Sequence, residues 1–272
     1  GPILENQSFR LSLKHMGRGN VEKVLSTDFV NHITILYEDE AVMVINKPSG
    51  LLVHEDGRRE TPTVVAWFLE QVPQARGVGE PGNTPEGKLL ERSGVVHRLD
   101  AETSGVLILA KTQEAFIHLK EQFHDRLVKK EYHAFVYGVM KERWGTIQRS
   151  IGRSPRDSRL RSAERGARGR LREAVTHWEV IEQSDTHAYL KLSPKTGRTH
   201  QIRVHLRAVG KPIVHDALYA TQYLGKSDNL GFKRLALHAH ALSIVLPSGE
   251  NHSFTAPLPE DFIAAARVVA GA

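Results

Sequence analysis

Cysteine is absent from the 272 residues. That excludes disulfides, thiolate zinc sites and a cysteine nucleophile, and it fits an intracellular protein. No apolar run approaches the ~18 residues of a membrane-spanning helix. The first residues, Gly1-Pro2-Ile3-Leu4-Glu5, lack the basic and apolar regions of a signal peptide. A cytoplasmic protein with no membrane partner is therefore expected. Histidine is plentiful, at 15, yet no Glu follows the first of two histidines spaced i, i+4 as on a metalloprotease helix. His238-Ala239-His240 and the pair His200 and His205 read as core or surface histidines, and no metal is expected. No internal repeat is visible.

What is present points to a soluble fold with a sizeable core. The hydrophobic fraction is 40%, and the length suits one large domain or two small ones. Net charge is +6, too modest to identify a partner by itself. Its distribution says more. Residues 149–172 hold nine arginines against two acids, Asp157 and Glu164. Gly152, Pro155, Gly166 and Gly169 break any long helix there. Such a segment is either a solvated loop or an RNA-gripping loop that orders on binding. Repulsion among nine guanidiniums favours the polyanion reading. Arg153, Arg156, Arg159 and Arg161 are the candidate phosphate contacts.

Periodicity gives the elements. Phe9–Leu13 alternates like a short strand. Ile33–Tyr37 and Val42–Asn46 read as two strands joined by Glu38-Asp39-Glu40. Lys47-Pro48-Ser49-Gly50 is a turn. Thr61-Pro62 is expected to open a helix with Pro at its first position. Residues 73–90 read as a surface loop. Phe116, Leu119, Phe123 and Leu127 mark an amphipathic helix over Gln113–Leu127. Lys129–Gly138 alternates as a strand, with Tyr132, Ala134 and Val136 on one face. Ala174–Ile181 and His187–Leu192 form a predicted antiparallel pair. Thr199 is placed to cap a helix running to Val209, stopped by Gly210. Leu235–Leu246 reads as a strand and Pro259–Val269 as a closing helix.

The centre of the chain is Val95-Val96-His97-Arg98-Leu99-Asp100-Ala101-Glu102-Thr103-Ser104-Gly105, followed by the apolar run to Ala110. It reads as strand, loop, strand. An Asp before Thr-Ser-Gly is commonly a turn-former. The His-Arg-Leu-Asp string also suggests a protein-kinase catalytic loop, but no Gly-rich loop and no Asp-Phe-Gly accompany it. The whole string resembles the signature of the RluA-type pseudouridine synthases, His-Arg-Leu-Asp-x-x-Thr-Ser-Gly, at every fixed position. Three further stretches are similar to that family: Lys47-Pro48-Ser49-Gly50, Lys130-Glu131-Tyr132-His133-Ala134, and Gly197-Arg198-Thr199-His200-Gln201-Ile202-Arg203-Val204-His205. One departs from it. Where the family shows Gly-Asp-x-x-Tyr-Gly, this chain has His215-Asp216-Ala217-Leu218-Tyr219-Ala220, with both glycines replaced.

The resemblance covers about residues 32–260. It implies an α+β fold, a long mixed, mostly antiparallel sheet with flanking helices and a central cleft, and the element order agrees. It implies a catalytic domain over 32–272 behind an N-terminal extension of 1–31, acting as a monomer. It implies that Asp100 is catalytic, that Tyr132 lines the site, and that Arg203 pairs with Asp100. Converting uridine to pseudouridine breaks N1–C1′ and joins C5 to C1′ with no oxidation, so no cofactor is expected. Asp100 would act on the sugar as nucleophile or base. Tyr132 would stack on uracil and help remove the C5 proton. Arg98 would fill the space left by the flipped base. His97, Thr103, Arg198, His200 and Gln201, the other polar residues of these motifs, are expected RNA contacts. Ribosomal RNA is the first expected substrate and transfer RNA the second. Two rival readings remain at this stage: a non-catalytic RNA-binding or ribosome-assembly protein, and a nucleoside hydrolase. The set Asp100, Tyr132, Arg203 counts against the first, and the arginine-rich segment counts against the second.

Overall fold

The computed structural model describes Val30 and residues 32–272, apart from 56–60, 84–86, 88, 156, 158, 159, 164–166 and 226. The expected strand Phe9–Leu13, Arg156 and Arg159 lie outside the described residues. In chain order the strands are β1 (Thr34–Glu38), β2 (Val42–Lys47), β3 (Gly82–Asn83), β4 (Leu89–Leu90), β5 (Ser104–Ala110), β6 (Lys129–Tyr137) and β7 (Trp144–Gln148). There follow β8 (Ile151–Arg153), β9 (Arg161–Ser162), β10 (Arg168–Arg172), β11 (Val175–Gln183), β12 (His187–Pro194), β13 (Leu237–Val245) and β14 (Asn251–Thr255). The helices are α1 (Val64–Gln71), α2 (Gln113–His124), α3 (Gln201–Ala208) and α4 (Glu260–Ala270).

The main sheet runs β1-β2-β5-β13-β6-β12-β11-β7, with β14 added to β13. Neighbours pair antiparallel except β5 and β13, which are parallel. All seven residues of β5 are buried. This explains its unbroken apolar run, since a strand covered on both faces has no polar side to alternate with. Asp39 makes the β1–β2 turn, its Oδ1 accepting from the amides of Ala41 at 2.8 Å and Val42 at 2.7 Å. The α2 N-terminus is capped by Thr112, whose hydroxyl accepts from the Ala115 amide.

Several expectations are corrected. Thr63 caps α1, not Thr61, and Pro62 precedes the cap. The stretch 73–90 contains a 3-10 turn, Pro73–Ala75, and the hairpin β3–β4. Before the central loop there is no strand, only a bridge from Val95 to Leu109. The reason is that His97 takes the place of a ladder partner, its Nε2 accepting from the Ile108 amide at 3.1 Å. The arginine-rich segment is not an open loop. Its described residues form the sheet β10-β8-β9. Ile151, Leu160 and Ala163 bury themselves against Val204, Leu218 and Tyr219, while Arg153, Arg168, Arg170 and Arg172 stay exposed.

The parallel seam between β5 and β13 depends on Gly105. Its φ is +115°, and it lies opposite Ala239. A Cβ there would collide with the Ala239 backbone. Gly105→Ala is therefore expected to cost at least about 3 kcal/mol, combining left-handed strain with overpacking. Denaturant unfolding checks this, and a loss under about 1 kcal/mol would contradict it.

Candidate active site

The cleft lies over the seam, a cavity of about 770 Å³. The loop before β5 contributes Arg98, Asp100 and Thr103, β6 contributes Lys130 and Tyr132, and the segment entering α3 contributes residues 196–203. Three chain segments distant in sequence thus meet, as the motif resemblance implies.

Asp100 is partly exposed, its carboxylate open to the cleft. Arg203 Nη1 donates to its Oδ2 at 3.2 Å. The stronger partner of Arg203 was not singled out from the sequence. Asp216 receives Nε and Nη2 in a bidentate pair, both at 2.8 Å, and is itself fully buried. Its Oδ1 also accepts from the amides of Leu218 and Tyr219. The guanidinium lies over the Tyr219 ring, 5.1 Å from its centroid. Burial opposes the charge on Arg203, but Asp216 and then Asp100 outweigh it and raise the pKa above the usual arginine value. Arg203 is a fixed cation, held from behind by Asp216 and presented to Asp100.

His200 sits at the N-terminus of α3 with φ of +56°, so the helix has no Thr199 side-chain cap. Its Nδ1 is 2.8 Å from the Tyr219 hydroxyl, which also accepts from the Arg161 amide at 2.9 Å. That pattern has the hydroxyl donate to Nδ1 and assigns the ring proton to Nε2. Nε2 points at Asp100 Oδ1 from 3.9 Å. Burial holds the His200 pKa below the usual histidine value, against the pull of Asp100. The neutral ring is placed to hydrogen-bond across the cleft rather than to carry charge.

Tyr132 is deeply set, and burial, then Asp100, push its pKa well above the usual tyrosine value. In the free protein its phenol is a neutral stacking face and donor. It can act as a base only after its own proton passes to another acceptor, which narrows the role expected for it. Lys130, two residues away on the same face, was missed from the sequence. Its pKa is lowered to about 8 by burial and then by Arg198. The i, i+2 spacing from Tyr132 was the available signal.

Other expected contacts also line the cleft. Gln201 is a bracket: its Oε1 accepts from the Thr196 hydroxyl and the Arg198 amide, and its Nε2 donates to Val175 O and Thr176 Oγ1. With these bonds it shapes the 196–203 turn, and it lines the cleft. His97 also lines the cleft and is held by bonds inside the protein. Its ring stacks on Phe123 at 4.5 Å, and burial lowers its pKa to about 3. Thr103 is buried in the cleft wall. Arg98 is exposed and steadied by His54, its Nη1 lying 3.2 Å from His54 Nε2. Arg198 donates to Glu173 O at 3.1 Å. Its pKa is lowered by burial and by Arg172 and Arg126, the mark of a cationic rim. Arg153 and Arg161 lie on the small sheet beside this rim.

Lys47 supports the loop from below. It is fully buried, and its Nζ donates to the carbonyls of Pro48, Leu51 and Ala101 at 2.8 to 2.9 Å. Burial lowers its pKa to about 7.

Comparison with known proteins agrees with this geometry. The RNA pseudouridylate synthase family profile matches residues 41–208. An RNA pseudouridine synthase of Synechocystis sp. is 38% identical over 250 residues, 89% of this chain and 72% of the relative. Ribosomal large subunit pseudouridine synthase D of Neisseria meningitidis is 40% identical, covering 84% of this chain but 59% of the relative. The Xanthomonas campestris protein of the same name is 41% identical, with 84% and 67% covered. Among solved structures, human RNA pseudouridylate synthase domain containing 1 superposes with a TM-score of 0.67 at 27% identity, covering 85% of each chain.

Proposed function

The chain belongs to the RNA pseudouridylate synthase family, and from that premise we propose that it isomerises uridine to pseudouridine in large-subunit ribosomal RNA. The observation that carries the reading is the directed pair of Asp100 and Arg203, backed by Asp216. A protein that only binds RNA has no use for a carboxylate held open in a cleft by a buried cation. We read residues 32–272 as one monomeric catalytic domain, cytoplasmic, with 1–31 as an extension. Transfer RNA is the alternative to ribosomal RNA as substrate.

The reaction is a rearrangement. The N1–C1′ bond breaks, uracil turns, C5 bonds to C1′, C5 loses a proton and N1 gains one. No electrons enter or leave. Asp100 meets the sugar as nucleophile or base, and its charged form is the one Arg203 stabilises. Tyr132 offers a face for the detached uracil. The target base must leave its stack, at a cost of a few kcal/mol. Arg98, exposed at the mouth, has the planar group to fill the gap. The rim of Arg198, Arg172 and Arg126 meets phosphate.

Incubating the protein with unmodified ribosomal and transfer RNA under a chelator, then mapping pseudouridine, tests this. New pseudouridine in large-subunit RNA is expected. None in either RNA would overturn the activity, and modification of transfer RNA alone would overturn the substrate.

The small sheet gives a separate prediction. Arg153, Arg168, Arg170 and Arg172 are exposed on it, while Ile151 packs against Val204 and Tyr219. Replacing Arg153, Arg168 and Arg170 by Ala should lower the salt slope of RNA binding by roughly 0.7 per lost contact to a single strand. The melting temperature should hardly move. An unchanged slope would remove the sheet from the RNA surface.

A further inference from the structure

On the face of the main sheet turned away from the cleft, three donor side chains meet. Lys130 and Tyr132 line the cleft, so Glu131 and His133, which alternate with them on β6, project to the other side. His240 reaches the same place from β13. The β6–β13 register slips between Ala239 and Ala241, which leaves His240 as the extra residue of a bulge. Bulges re-aim a side chain. The donor atoms of Glu131, His133 and His240 all lie within 4.8 Å of one another.

Two observations raise this above simple proximity. His240 Nδ1 is buried and has no hydrogen-bond partner among the described residues. Buried polar atoms are rarely left so, and a Lewis acid would satisfy it. His133 is oriented as metal-bound imidazoles are. Its Nδ1 is 2.6 Å from the Tyr189 hydroxyl, and its Nε2 faces Glu131 Oε1 at 3.2 Å. Lys191, opposite His133 on β12, is the neighbouring cation, and its charge is matched by Glu179 at 2.5 Å.

We propose that Glu131, His133 and His240 bind one divalent cation of the zinc class and so clip β6 to β13. Two imidazoles and one carboxylate are a ligand set zinc favours, with water in the fourth position. Magnesium and calcium prefer oxygen throughout. Donors in a tetrahedral shell stand about 3.4 Å apart for metal–ligand bonds of ~2.1 Å, so side-chain rotations of about an ångström close the triangle. The site is separate from the reaction, because none of the three residues lines the cleft. The proposal does not depend on the RNA substrate.

The test uses the whole protein, stripped with a chelator and titrated with Co²⁺ and then Zn²⁺. One equivalent of Co²⁺ should give the visible absorption of a tetrahedral site, and Zn²⁺ should displace it. Saturating Zn²⁺ should raise the melting temperature by several degrees, whereas Mg²⁺ should not. His240→Ala and Glu131→Gln should each abolish the one-equivalent absorption and the thermal shift. The metal-free melting temperature of each variant reports its folding. Should His240→Ala fail to fold, Glu131→Gln, near the start of its strand, decides alone. Absorption and shift that persist in a folded variant would overturn the proposal, as would an equal shift with Mg²⁺ or no saturable binding.

Discussion

Asp100→Asn is expected to lower turnover by about a thousandfold or more, while RNA binding stays within about tenfold, or ~1.4 kcal/mol. The change is nearly isosteric. It removes the carboxylate charge that lies against Arg203 in the cleft and leaves the hydrogen bond to Arg203 Nη1 available to the amide oxygen. The fold should survive, because Arg203 keeps its bidentate bond to Asp216 and is not left as an unpaired buried charge. Single-turnover pseudouridine formation, RNA binding and a melting curve together check this. Normal turnover in a folded variant would make Asp100 a turn residue, the ordinary role for Asp before Thr-Ser-Gly.

Asp216→Ala is expected to act in the opposite way, on the fold first. It strips Arg203 of its main partner inside the protein and leaves the amides of Leu218 and Tyr219 without their acceptor. Breaking a buried pair by removing one side costs about 3–5 kcal/mol. For a chain of this size that lowers the melting temperature by on the order of 10 °C. Turnover should fall as well, because Arg203 is then free to turn fully onto Asp100 and draw its carboxylate out of position. The double variant Asp216→Ala with Arg203→Met should recover part of the stability, since the stranded charge is gone, but none of the activity. An Asp216→Ala protein as stable as the parent would show that water or Glu102, 3.7 Å from Arg203 Nη2, replaces the lost carboxylate.

The contrast between these residues shows what could be read from the chain. Asp100, Tyr132 and Arg203 lie in contiguous strings whose local pattern carries the family resemblance. The amphipathic helix expected over Gln113–Leu127 forms but stops at His124, before Arg126 with its φ of +62°, and the strand pair β11–β12 forms as short-range periodicity implies. Asp216 lay in plain view, inside a stretch whose replaced glycines drew attention instead. Its partner is 13 residues away across a turn, where no periodicity operates. The packing of the described part of the arginine-rich segment depends on contacts still more distant in sequence. Ile151 and Leu160 look incidental among arginines until Val204 and Tyr219 are brought against them. The bonds that Gln201 and His97 make inside the protein were not legible, because a motif does not say which way a side chain points.

The parallel seam has a consequence for the order in which the protein comes into being. Ser104 and His238 meet there across 134 positions, and Arg203 reaches Asp100 across 103. Closing such long loops costs entropy before any contact repays it, so these pairings form late in folding. β1, β2 and β5 can assemble as a meander soon after they leave the ribosome. β13 must then insert between β5 and β6, two strands already made. A nascent chain therefore carries the Asp100 loop before it has a cleft around it. Only when β13 is available can the two halves of the sheet join and the cleft close around its residues.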